Sequence, residues 1–173
     1  MFYLRKLSKK ANLLKIKNAV SKNQIDADIL KQELGTSSNT LSFWKCENLE
    51  HPKDTIKAIL LSTTSIDTSQ FIIFSDELLE KYHIETDDSQ KGTTGYKGYE
   101  TLHVNLCNLN YEKIGIVLDM IKEIADKKEF TPELKKEEVK RYISEVREDG
   151  LLDETNIREE LKEAINKYCV KIA

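Results

Sequence analysis

The four residues Phe71-Ile72-Ile73-Phe74 are the most apolar short run in the chain, and Ser75-Asp76-Glu77 follows at once. A brief run of β-branched and aromatic residues bounded by polar ones has the form of a strand covered on both faces. Such a strand sits inside a sheet, so other segments must flank it and helices must cover it. Three segments offer themselves as neighbours. Residues 2–7 alternate weakly, with Phe2 and Leu4 set against Tyr3 and Arg5. Leu41 to Glu47 puts Leu41 and Phe43 on one face and Trp44 and Cys46 on the other. Leu102, Val104 and Leu106 alternate with His103, Asn105 and Cys107.

Helical spacing accounts for much of the rest. Ile29, Leu30 and Leu34 form a stripe that Asp26 can cap and Gly35 can close in the left-handed conformation. Pro52 suits a first helical position before Ile56, Ile59 and Leu60. Ser75 can cap a short helix, with Asp76 and Glu77 at its positive end. Asn110 can cap a helix striped by Ile114, Val117, Leu118, Ile121 and Ile124. Thr131-Pro132 reads as a helix start, with Leu134, Val139, Ile143 and Val146 inward and Gly150 as its end. Asp153 or Thr155 opens a last helix carrying Ile157, Leu161 and Ile165. Residues 11–20 fit either a helix or a basic loop. The expected class is α+β (mixed α/β): a central, mostly antiparallel or mixed sheet of about four strands with covering helices. Residues 1–108 form the mixed domain. Residues 109–173 form a helical segment packed on it as one cooperative unit and ending in a protruding helical hairpin.

Composition narrows the setting. At 173 residues, with 33% charged and 39% hydrophobic, the chain can bury roughly 70% of its extended surface without a covalent staple. No apolar run approaches about 18 residues, so no membrane partner is expected. Met1 to Ser8 lacks the apolar core of a signal peptide. Cys46, Cys107 and Cys169 are widely spaced and odd in number, which suits free thiols in a reducing, cytoplasmic compartment.

Charge is unevenly placed. Arg5, Lys6, Lys9, Lys10, Lys15, Lys17 and Lys22 make residues 1–22 +7, with no acid among them. The formal total is −3, so the remainder carries −10. A basic lead on an acidic body implies either contact with nucleic acid or an internal dock on the protein's own acidic surface. Arginine occurs only at Arg5, Arg141, Arg147 and Arg158. That scarcity leans away from base reading and phosphate forks.

Reactive motifs are sparse. Cys46 and His51 have no second pair at zinc-finger spacing, and His103 with Cys107 makes no site alone, so no metal is expected. Gly92, Gly95 and Gly98 have neither Walker nor Rossmann spacing, and they precede a strand where those motifs precede a helix. With Tyr96 and Tyr99 between them, they read as a mobile loop and a candidate binding lip. No nucleophile elbow occurs, and no cofactor is expected.

The order Arg5, Ser62-Thr63-Thr64-Ser65, Glu100 resembles that of ADP-ribosyltransferase domains. The resemblance implies an enzyme acting on NAD. Arg5 would grip the pyrophosphate, Ser62 and Ser65 would flank the nicotinamide side, and Glu100 would stabilise the ribosyl cation. The spacing of 53–61, however, places the Ser/Thr run in a loop after a helix. The leading expectation is a non-catalytic protein that binds another protein, encoded nearby. An antitoxin-like or phage-defence accessory subunit of a bacterial system is its concrete form. The charge split and the charged C-terminal helices motivate it. Nucleic-acid binding through the basic segment is the second alternative.

Overall fold

The structure, a computed structural model, describes residues 1–49 and 52–168. His51 and Cys169, weighed above as a metal ligand and a thiol, lie outside the described residues. Among those described, six strands form one sheet: β1 (Phe2–Leu7), β2 (Leu41–Cys46), β3 (Ser69–Ser75), β4 (Glu85–Asp87), β5 (His103–Cys107) and β6 (Glu133–Leu134). Their order is β4-β5-β2-β1-β3-β6, and each pairing is antiparallel. Seven helices cover the sheet: α1 (Lys10–Asn18), α2 (Ala27–Leu34), α3 (Lys53–Leu60), α4 (Asp76–Lys81), α5 (Tyr111–Ile124), α6 (Lys136–Glu148) and α7 (Glu159–Tyr168). None is long and apolar enough to cross a membrane.

The apolar run behaves as its composition requires. Phe71, Ile72, Ile73 and Phe74 are all buried, and their alternation supplies both faces of the sheet. Ile72 and Phe74 join Leu41, Phe43, Val104 and Leu106 under α1, α2, α4 and α5. Phe71 and Ile73 join Leu4, Trp44 and Cys46 under α3, α6 and α7. The two-sided reading of β2 therefore holds residue by residue. The caps at Ser75 and Asn110 hold as well. Ser75 Oγ accepts from the Leu78 N–H at 3.3 Å, and Asn110 Oδ1 accepts from the Lys113 N–H at 2.9 Å.

The sheet is wider than the expected four strands. The two additions, β4 and β6, are edge strands of three and two residues, too short to carry a period. Thr131-Pro132 starts no helix. The Pro132 carbonyl accepts from the Phe71 N–H at 2.9 Å, and the Gln70 amide donates to the carbonyls of Thr131 and Pro132. Proline has no N–H to give, which an edge position tolerates. Leu134 thus lies on β6, and α6 begins only at Lys136. Residues 109–173 consequently supply a strand of the sheet as well as helices.

The C-terminal helices are not a protruding hairpin. Val139, Ile143, Val146, Leu161 and Ile165 are buried over the sheet's second face. Asp153 caps a 3₁₀ turn at Glu154–Asn156, and α7 starts later. Gly150 does end α6 with φ +70°. Gly35, in contrast, has φ −60° and is not left-handed. Asp26 makes no cap bond; its carboxylate meets Lys15 at 3.1 Å. Residues 10–18 are a helix, α1.

Candidate functional site

The middle of the sheet contains a wedge. β1 and β2 pair only over Phe2–Leu4 with Trp44–Cys46, whereas β1 continues along β3 to Leu7. The Asp76 N–H donates to the Met1 carbonyl at 3.0 Å. In an antiparallel ladder, exchanging residues alternate along the strand. Arg5 and Leu7 therefore turn their backbone groups towards β3, and Lys6 turns its own towards β2. Its partner there would be Ser42, but the ladder stops two residues short of that pair.

The C-terminus of α2 enters this wedge, and Arg5 holds it. Arg5 Nε and Nη2 donate to the Glu33 carbonyl at 3.2 and 3.0 Å, and Nη1 donates to the Ser42 carbonyl at 2.8 Å. The last carbonyls of a helix have no partner within it, and a cation there also meets the negative end of the dipole. Arg5 thus caps α2 and bridges to β2, its guanidinium 5.9 Å from the Phe43 ring centroid. Burial draws its pKa below the ordinary value, and the Glu33 carboxyl opposes that.

Glu33 is a buried acid, 1% exposed. Its carboxylate accepts from the N–H and hydroxyl of Ser8, from the Lys9 N–H at 3.4 Å and from Asn12 Nδ2 at 2.6 Å. These donors lie at the start of α1, so one side chain ties the ends of β1, α1 and α2 together. A buried carboxylate needs such a set of donors. Nothing in the periodicity of residues 27–34 marks Glu33, because its partners come from a segment more than twenty residues upstream.

A cavity of about 300 Å³ opens at the wedge. Arg5, Gln32 and Glu33 border it from one side; Lys6, Trp44, Ile59, Ser62 and Thr63 border it from the other. The Ser62 and Thr63 hydroxyls donate to the carbonyls of Ile59 and Leu60, at the end of α3. Burial lowers the Lys6 pKa, with Asp67 opposing. Of the residues in the ADP-ribosyltransferase-like order, Arg5 and Ser62 share this cavity. Ser65 and Glu100 are not among its lining residues. Glu100 sits in a 3₁₀ turn, where its carbonyl accepts from the Gly92 N–H at 2.9 Å and its carboxylate from the Gly98 N–H at 3.4 Å.

The glycine-rich segment is bound into the second face. The Gly95 N–H donates to the Leu61 carbonyl at 3.1 Å, and the Gly95 carbonyl accepts from the Asp153 N–H at 2.8 Å. A Cβ at Gly95 would overlap Ile157, so close backbone approach is what this glycine supplies. Tyr96 is buried, stacks on Tyr99 at 3.9 Å between centroids, and donates to Asp54 Oδ1 at 3.0 Å. Burial, with Tyr99 and Asp54 beside it, raises the Tyr96 pKa.

Next to Tyr96 lies a second buried cation, absent from the sequence reading. Lys57 Nζ is 5.9 Å from the Tyr96 ring centroid and 3.1 Å from Glu145 Oε2. Lys53 reaches the same oxygen at 2.8 Å. These are charge contacts, since Oε2 has no aligned hydrogen bond. Burial pushes the Glu145 pKa up, but the two ammonium groups outweigh it and leave the acid below its ordinary range.

The basic lead is turned onto the protein's own acids. Lys10 meets Glu133 at 2.5 Å, Lys15 meets Asp26, Lys17 meets Asp126, and Lys22 meets Asp119 at 2.6 Å. Two of these acids, Asp119 on α5 and Asp126 just beyond it, fix α1 and the turn after it against α5. Among the described residues, no three histidine, cysteine, aspartate or glutamate side chains gather as a metal site. No family model, curated protein or solved structure matches the chain.

Proposed function

We propose that the protein works by binding another protein, through a surface built from α1, the turn after it and the start of α5. One observation carries this reading: Tyr111 is 97% exposed and Val20 is 86% exposed. Single exposed apolar residues are ordinary, but these two flank one seam. Tyr111 lies one helical turn before Gly115, and a Cβ at Gly115 would come within 3.4 Å of Lys22 Nζ. Lys22 follows Val20 by two residues. Leu14, half-exposed, borders a groove beside it with Asn18, Ala19 and Ile29. An exposed tyrosine offers large contact area at little entropic cost, which suits an interface anchor.

The concrete form of the proposal is an accessory subunit of an antitoxin-like or phage-defence system, with its partner encoded nearby. The size of the chain motivates that form. Co-purification with the products of neighbouring genes tests it. Changing Tyr111 and Val20 together to Asp should abolish co-elution while the circular dichroism spectrum stays unchanged. Undiminished co-elution of the double variant would defeat the assignment of the surface.

A second reading, an NAD-dependent transferase, draws on Arg5 and Ser62 bordering one cavity. It requires labelling of a target by NAD that Glu100→Ala abolishes. Arg5 already donates to two carbonyls, and Glu100 lies in the turn after the glycine segment, so the geometry favours the first reading. Binding of nucleic acid by residues 1–22 would require their lysines to exchange the carboxylates described above for phosphates, with a steep salt dependence and sensitivity to Lys9→Ala and Lys10→Ala.

A further inference from the structure

We infer that the wedge between β1 and β2 is a binding site for a small aliphatic carboxylate. Cationic residues border it from both sides, Arg5 on one and Lys6 on the other. Arg5 commits three hydrogen bonds to the Glu33 and Ser42 carbonyls, which leaves two of its five N–H groups. The interrupted ladder leaves the backbone N–H groups of Lys6 and Ser42, and the Lys6 carbonyl, without their exchange across the gap. Lys6 borders the same space, and Asp67 is the acid that acts on its charge. The acid among the lining residues, Glu33, is already engaged by donors from Ser8, Lys9 and Asn12. An acceptor with two oxygens in a plane, a carboxylate, fits such a set.

The rest of the lining sets the other end of the ligand. Trp44 and Ile59 are apolar walls of the cavity, and burial of a short hydrocarbon tail against them is favourable. A volume of about 300 Å³ holds on the order of ten waters, so the ligand is small. The Ser62 and Thr63 hydroxyls have their hydrogens turned to α3 carbonyls, which leaves only lone pairs towards the cavity. They therefore offer nothing to a second anionic group. The inference does not rest on the partner surface, which lies on α1 and α5.

Trp44 is the chain's one tryptophan, so intrinsic fluorescence reports on this cavity directly. Isovalerate serves as probe, with isovaleramide and inorganic phosphate as comparators at matched ionic strength. Saturable change with isovalerate is expected, with about tenfold weaker binding of the uncharged amide and weaker binding of phosphate, which lacks the tail. Lys6→Gln should weaken isovalerate about tenfold without changing the melting temperature by more than a few degrees. Arg5→Lys tests the fork, but Arg5 also caps α2, so Lys6→Gln carries the decision. Absence of saturation with isovalerate, equal binding of the amide or of phosphate, or an unchanged affinity in Lys6→Gln would each overturn the inference. Loss of protein partner binding in Lys6→Gln is not expected, which separates this site from the proposed interface.

Discussion

Arg5 and Lys57 are both cations taken largely out of water, one on each side of the sheet, and their surroundings differ. Arg5 is answered by backbone carbonyls, and the neighbouring Glu33 is answered by backbone and side-chain donors in fixed positions. Lys57 is answered by a carboxylate that it shares with Lys53, beneath a tyrosine stack. The first arrangement is directional and stands at the mouth of a cavity. The second is a redundant charge contact beside the glycine segment, with Lys53 reaching it from the surface. Burying a charge does not by itself make a site; an opening and uncommitted donors must accompany it.

Breaking the directional arrangement should cost most. Glu33→Ala removes the acceptor shared by Ser8, Lys9 and the buried Asn12 and takes away the acid beside Arg5. A loss of about 4 kcal/mol is expected in urea denaturation. Glu33→Gln, which keeps the shape and part of the accepting capacity, should recover some of it. A loss below about 1 kcal/mol in the alanine variant would mean the ends of β1, α1 and α2 are joined by something else.

The glycine segment should depend on shape more than on charge. Gly95→Val sets a side chain against Ile157 with the backbone held on both sides, and about 3 kcal/mol is expected. Near-wild-type stability there would show that the segment shifts freely. Acid sharpens the contrast further. Because the Glu145 pKa is depressed in the folded protein, its stabilising contribution is present above its ordinary value near 4.5 and is lost as the pH falls through the folded value. A comparison of wild type with Glu145→Gln in stability against pH should therefore show curves that converge below about 4.5. Parallel curves over that window would remove Glu145 from the account.

The smallest effect belongs to the surface pairs. Lys22 and Asp119 are both more than a third exposed, so Lys22→Ala should cost about 0.5 kcal/mol. The loss should shrink further as salt is added. A salt-independent loss of several times that size would show the basic lead to be a buried dock.

What the chain determined locally can be read in β3, in the split of β2 between Leu41 with Phe43 and Trp44 with Cys46, and in the caps Ser75 and Asn110. A buried strand and an amphipathic helix each write a period into contiguous residues, and a cap lies beside the turn that it serves. Tertiary structure alone decided the rest. The edge strands β4 and β6 are too short to show a period, and Thr131-Pro132, locally a helix start, was recruited by the backbone of β3. Most of all, the wedge exists because the pairing of β1 with β2 ends early and the end of α2 enters the gap. Arg5 and Glu33 meet there across 28 residues, a distance over which no local pattern can signal a partner.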